Sequence, residues 1–182
     1  IRTILHQGAK LDSFGVGERL ITSKSSPVFG GVYKLVATED EEGKITPKIK
    51  ISENVAKITT PGFKELYRFY ENETGKAMGD VIALRDEEIP KDNYEVFHPI
   101  YTWKRKTLTD YTAKKVLVQI YDKGELVYKM PSLDEIRARA EAELDTLWEE
   151  TKRLDNPNEY IVDLSEKLWK LKDDLLKKHG KN

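Results

Sequence analysis

The stretch LYRFYENETGKAMGDVIAL, Leu66 to Leu84, decides the fold class of this 182-residue chain. Leu66 to Tyr70 is aromatic-rich and Val81 to Leu84 is aliphatic. The polar Asn72 to Lys76 between them includes Gly75, so the pattern predicts two strands joined by a turn. Working outward, strand-like patterning runs from Gly30 to about Gln119. Val32, Leu35 and Val36 make one expected strand, and in another Ile49 and Ile51 alternate with Lys48 and Lys50. Phe97 to Trp103 reads as a further strand, and Val116 to Tyr121 and Leu126 to Tyr128 as a hairpin about Lys123 and Gly124. These strands are expected to share one sheet.

Both flanks read as helical. Ile1, Ile4 and Leu5 form a stripe that stops at Gly8, and an extended Lys10 to Phe14 then leads through Gly15, Val16 and Gly17 into a short helix from Glu18 to Ile21. Beyond Pro131, Ser132 and Glu135 have the spacing of a capping box, followed by Ile136, Ala140, Leu144 and Leu147. Asn156 and Pro157 interrupt the pattern. Asp163 with Glu166 is expected to cap a second helix carrying Leu164, Leu168, Leu171 and Leu175, so that Ser132 to Leu154 and Asp163 to Lys178 form a helical hairpin. The fold class is α/β with α+β character, in three regions: 1–29, 30–131 and 132–182.

Composition excludes several functions. The 31 basic residues are matched by 32 acidic ones, leaving a net charge of −1 and no global field to hold nucleic acid or an anionic membrane. The absence of cysteine rules out disulfides, thiolate zinc sites and thiol catalysis, and fits a cytoplasmic location. No signal peptide is visible, and no apolar run approaches the roughly 20 residues of a membrane helix. The chain opens on Ile1 rather than Met, in what reads as mid-helix, which suggests a start partway through a larger protein.

Two motifs suit anion chemistry. Glycines at 15 and 17, at a strand end before a helix, would allow a phosphate close to free backbone N–H groups, although such glycines also serve as plain turns. Lys34, Lys48, Lys50, Lys57, Lys64 and Arg68 form a basic series that would be either a cationic site or a solvated sheet face. His6, His98 and His179 lack metal-ligand spacing, and His98 reads as a structural histidine bonded to nearby backbone. No catalytic triad or Walker loop is present. The acids of Asp40 to Glu42 and Asp86 to Glu88 read as loop charges, and Trp148 and Trp169 as packing residues.

Taken in order, DSFGVGERLITS (Asp12 to Ser23), PVFGGVYKLV (Pro27 to Val36), KIKIS (Lys48 to Ser52), KITTPGFKELYR (Lys57 to Arg68), FHPIYTW (Phe97 to Trp103) and YKMPSLDEIRARAEAELDTLWEE (Tyr128 to Glu150) resemble the second half of bacterial nicotinate phosphoribosyltransferases. The resemblance implies the end of a type II phosphoribosyltransferase α/β barrel at 1–29, a β-rich flanking domain at 30–131 and a C-terminal helical hairpin at 132–182.

It also implies a parent enzyme that couples nicotinate to 5-phosphoribosyl 1-diphosphate, with ATP hydrolysis and Mg²⁺, in a homodimer. Gly15, Val16 and Gly17 match the family's 5′-phosphate loop. Lys34 and Lys50, with Lys57 as a third, match basic positions that approach the diphosphate from the neighbouring subunit. The phosphorylated histidine and the base-binding residues belong to upstream segments, so no catalytic residue, no metal ligand and no cofactor held by this chain alone is expected, and the isolated chain should be inactive. The alternative from another class is a stand-alone noncatalytic module that binds a phosphate-bearing ligand or a protein.

Overall fold

The computed structural model describes residues 1–28 and 30–180, and the chain divides into two compact units, Ile1–Lys34 and a second beginning at Leu35. The first holds two short helices, α1 (Arg2–His6) and α2 (Glu18–Ile21). As the apolar stripe predicts, α1 ends at Gly8, whose φ of 84° is a left-handed stop and whose N–H donates to the Leu5 carbonyl. None of its described residues is buried, and Leu20, Ile21, Val28 and Val32 lie open. A segment this short cannot enclose a core of its own.

The second unit is built on the hairpin that opened the sequence argument. It begins with a small antiparallel ribbon of β1 (Ala37–Glu39) and β2 (Ile45–Pro47), turned by Asp40, whose carboxylate accepts the Glu42 and Lys44 amides at 3.1 and 2.8 Å. After a 3₁₀ turn at Val55–Lys57 come β3 (Lys64–Glu71) and β4 (Ala77–Leu84), paired antiparallel with Leu66 opposite Ile82. A second hairpin follows, β5 (Asn93–Phe97) with β6 (Arg105–Thr109), then β7 (Tyr111–Lys115) and a short ribbon of β8 (Tyr121–Asp122) with β9 (Glu125–Leu126). The C-terminal region contains α3 (Leu133–Thr146), α4 (Glu149–Lys152), β10 (Val162–Leu164) and α5 (Glu166–His179).

The main sheet has the order β10-β4-β3-β7, with β10 parallel to β4 and the other pairs antiparallel. Alternation along β3 sends Tyr67 and Phe69 to the core and Arg68 to the opposite face. Phe69 is fully buried, its ring 5.2 Å from that of Tyr94 and 4.8 Å from that of Tyr111, and Val81, Ala83, Val96 and Leu108 complete the cluster. Each large side chain buried this way contributes roughly 1.5–3 kcal/mol. On α5, Leu168 is fully buried, and Trp169 meets Phe97 edge-on at 5.9 Å while donating its indole N–H to the Pro99 carbonyl.

Several expectations change. Among the described residues the strands form four sheets, and β5 and β6 pair with each other and press Val96 and Leu108 against the main sheet's core. Val32 and Lys34 are not in a strand, and neither are Lys48, Ile49 or Lys50. The strand expected over Phe97 to Trp103 stops at Phe97, next to Pro99, which has no N–H to give a ladder. Of the Val116 to Tyr121 strand only Tyr121 is in one.

The capping box of α3 forms as its spacing predicts, Ser132 Oγ accepting from the Glu135 amide and Glu135 reaching back to the Ser132 amide. The helical hairpin is interrupted, however. Val162, Asp163 and Leu164 pair with β4, and Ser165 rather than Asp163 caps α5, accepting from the Leu168 amide at 3.1 Å. Among the described residues the apolar positions Ile136 and Leu144 of α3 are exposed.

Gly62 offers a test of how α5 seats. It has φ 94°, and a Cβ there would stand 2.7 Å from Leu84 Cδ2 and 3.3 Å from Leu171 Cδ2. Gly75 also has positive φ, at 68°, but open space around it. In thermal or denaturant unfolding, Gly75→Ala should cost about 1 kcal/mol from backbone strain alone, and Gly62→Ala at least about 2 kcal/mol because strain and overpacking add. Equal losses would show that the Leu84 and Leu171 contact does not close around Gly62.

Candidate functional site

Alternation along the β5–β6 hairpin gathers side chains on one face. Val96 lies opposite Lys106, and beyond the last register pair His98 donates its amide to the Lys104 carbonyl at 3.1 Å, so Val96, His98, Lys104 and Lys106 line one wall. The facing wall is the run from Glu159 to Asp163, and the cleft between them has a volume of about 500 Å³. Residues 160–161 come close to the sheet because Gly79, at φ 153°, has no side chain where Ile161 Cβ would otherwise lie 3.1 Å from it. The Ile161 carbonyl accepts the Asp80 amide there.

Asp163 is 6% exposed, and among the described residues its carboxylate has no hydrogen bond or ion pair. Burial pushes its pKa up, and the nearby His98 pulls it partly back. His98 accepts the amides of Ile100 and Tyr101 at Nδ1, at 3.1 and 3.0 Å, which places the ring proton on Nε2. It is the backbone-bonded histidine its sequence setting predicts. Lys104 Nζ stands 5.0 Å above the Tyr101 ring, and neither Lys104 nor Lys106 has an ion-pair partner among the described residues. Arg105, by contrast, is engaged by Glu95 and the Phe97 ring.

The residues singled out from sequence are distributed differently. Gly15, Val16, Gly17 and Lys34 belong to the first unit and are exposed; Lys50 and Lys57 belong to the second and are exposed as well. Neither glycine lies at positive φ, and a Cβ on either would meet nothing within 4 Å. Backbone conformation and local packing therefore give no reason for glycine at either position. Lys50 is clasped at its main chain, its amide donating to Thr59 Oγ1 at 2.8 Å and its carbonyl accepting from the Thr59 amide at 3.3 Å. Lys57 closes the 3₁₀ turn by donating its amide to the Asn54 carbonyl.

The last two members of the basic series have structural roles. Lys64 donates to the Thr60 and Gly62 carbonyls, its pKa lowered by burial. Arg68 forms a two-point pair with Asp80 at 2.8 and 3.0 Å and a third bond to Glu143 at 2.8 Å, which keeps its guanidinium charged.

Sequence reasoning missed Asp163, Lys104 and Lys106. The spacing of Asp163 from Glu166 predicts a helix cap, whereas the Tyr160, Ile161, Val162 run before it is a readable strand signal. Glu87, expected to be a loop charge, accepts the Leu84 amide at 2.8 Å and the Ser165 hydroxyl at 2.6 Å, fastening the start of α5 to β4. Among the described residues no three acidic or histidine side chains converge as metal ligands, and no helix is long and apolar enough to cross a membrane.

The family described as "Nicotinate phosphoribosyltransferase C-terminal domain" matches residues 63–172. A nicotinate phosphoribosyltransferase of Bacillus subtilis is 44% identical over 170 residues, 93% of this chain and 34% of that protein. One of Caenorhabditis elegans is 34% identical over 172 residues, 93% of this chain and 30% of that protein. Among solved structures, human nicotinic acid phosphoribosyltransferase aligns with a TM-score of 0.64 at 30% identity, over 80% of this chain and 27% of that one. The chain spans about a third of the length of the relatives it matches.

The raised pKa of Asp163 carries a stability signature. A carboxyl that holds its proton more tightly in the folded state adds stability below its unfolded pKa, and that contribution is lost as pH rises through the folded pKa. Asp163→Asn removes the titration. The melting temperature of the variant minus that of the unaltered chain should therefore be more positive at neutral pH than below the ordinary carboxylate range. A pH-independent difference would mean that Asp163 is as well solvated folded as unfolded.

Proposed function

The chain belongs to the nicotinate phosphoribosyltransferase family, and on that basis we propose that it is the C-terminal part of an enzyme joining nicotinate to 5-phosphoribosyl 1-diphosphate. The products are nicotinate mononucleotide and diphosphate, formed with ATP hydrolysis in the salvage of nicotinate into NAD. The observation that carries the reading is the 44% identity to the Bacillus subtilis protein across nearly the whole chain. No observation favours the noncatalytic module.

In this reading Gly15, Val16 and Gly17 receive the 5′-phosphate of the phosphoribosyl group. Support comes from two glycines at non-positive φ with open space where a Cβ would stand, an arrangement that leaves room for an approaching anion. Lys34 and Lys50, with Lys57, face the diphosphate, which gathers negative charge as the ribose C1 becomes oxocarbenium-like; fixed cations lower the energy of that charge. The main-chain clasp to Thr59 would hold the base of the Lys50 side chain in place. The remaining parts of the parent supply the base pocket, the phosphorylated histidine and the metal and ATP contacts, in a cytoplasmic homodimer.

Two outcomes test the reading. In the full-length parent, Lys50→Ala should lower kcat/KM for the phosphoribosyl donor about a hundredfold while leaving the KM for nicotinate little changed. Equal losses for both substrates would point to a folding defect. Incubated with nicotinate, the donor, ATP and Mg²⁺, the 182-residue chain alone should form no nicotinate mononucleotide by chromatography, because phosphate contacts without a bound base and an oriented ribose cannot position the reaction. Turnover abolished by Lys50→Ala would overturn that assignment.

A further inference from the structure

The cleft between the β5–β6 hairpin and the run from Glu159 to Asp163 has an electrostatic arrangement that the proposed reaction does not use. One wall ends in Asp163, a residue 6% exposed whose carboxylate has no hydrogen-bond or ion-pair partner among the described residues and reaches solvent only through the cleft's opening. The other includes Lys104 and Lys106, which have no ion-pair partners among the described residues, although the Lys104 ammonium stands over the Tyr101 ring. Opposite charges thus line the same cleft without pairing with each other, the two lysines exposed and Asp163 recessed, which leaves each open to a ligand that carries both an anion and hydroxyl donors. His98, fixed by two backbone amides at Nδ1, contributes an Nε2–H donor to the same lining.

We propose that this cleft binds a nucleoside monophosphate, with the phosphate on Lys104 and Lys106, the ribose diol donating to Asp163, and the base against Ile161 and Val162. Size favours this class, since about 500 Å³ is in the range of pockets that enclose whole small ligands and is larger than a free amino acid fills. Chemistry favours it too. A carboxylate that accepts from a ribose hydroxyl is a recurring means of nucleotide recognition, and paired cations suit a phosphate dianion. An anion without donors would satisfy the lysines and leave Asp163 unpartnered.

The test is isothermal titration of the 182-residue chain with adenosine monophosphate, its 2′,3′-dideoxy analogue and inorganic phosphate. Adenosine monophosphate should bind more tightly than the other two. Lys106→Ala and Asp163→Asn should each weaken it about tenfold, the effect of losing one hydrogen bond to a charged group. Asp163→Asn should leave the affinity of the dideoxy analogue unchanged, because the hydroxyls Asp163 would bind are already gone. Lys106 is exposed, so its replacement leaves the fold intact even if Asp163→Asn disturbs β10, and circular dichroism reports which variants are folded. Absence of binding at millimolar adenosine monophosphate, or unchanged affinity in Lys106→Ala, would overturn the proposal. Phosphate binding as tight as the nucleotide would reduce the cleft to a plain anion site and overturn it equally.

Discussion

The pairing of Arg68 with Asp80 is the constraint from which the arrangement around the main sheet follows. The two residues face each other across β3 and β4, and Asp80 is nearly buried, with its side chain 8% exposed. Removing such a pair from water costs several kcal/mol per ion unless the remaining lone pairs and protons are met. They are met from three directions: two guanidinium bonds reach Asp80, the Tyr160 hydroxyl donates to it at 2.8 Å, and Glu143 of α3 takes the remaining arm of Arg68. Losing Arg68 would leave Asp80 without its counter-charge on the less exposed side of the network, whereas Glu143, 45% exposed, can turn to water. Lys76 adds a second tie to α3 by donating to the Asp145 and Leu147 carbonyls at its C-terminal end.

The same constraint explains why a cleft exists. Tyr160 is held at Asp80 and Ile161 rests on Gly79, so the run into β10 is drawn down beside β4. Asp163 then falls in the β10 ladder opposite Val81, with its carboxylate among the residues lining the cleft toward the β5–β6 hairpin. The hairpin is held from both faces, Val96 and Leu108 joining the Phe69 cluster on one and Phe97 meeting Trp169 on the other. His98 and Lys104 pack about Tyr101, and among the described residues Lys106 has no ion-pair partner.

What the sequence made legible divides along physical lines. The β3–β4 hairpin, the capping box at Ser132, the stop at Gly8 and the backbone-bonded His98 are each set by contacts within a few residues, and local patterns report local contacts. The family could be read because a long ordered series of phrases is specific even where each phrase is weak. The number of sheets was not legible, because whether two amphipathic hairpins join edge to edge or pack face to face depends on partners far along the chain. The misreading at Asp163 has the same origin: a three-residue strand is stabilised by β4, some eighty residues earlier, and leaves almost no periodic trace. The roles of Arg68 and Lys64 in holding charge and carbonyls were equally non-local, and a string of basic residues gives no sign of which are already engaged.

The parallel pairing of β10 with β4 has a consequence for biosynthesis. Hairpins β3–β4 and β5–β6 close over short loops and can form as soon as they leave the ribosome. The outer edge of β4 has no such neighbour, and its partner emerges only after α3, α4 and the turn at Asn156 have been made. Until then a row of backbone donors and acceptors on β4 stands open, beside an Asp80 not yet met by Tyr160. An open strand edge is a template for the wrong chain. During that interval the β4 edge is the place where a neighbouring nascent chain can pair in β10's stead.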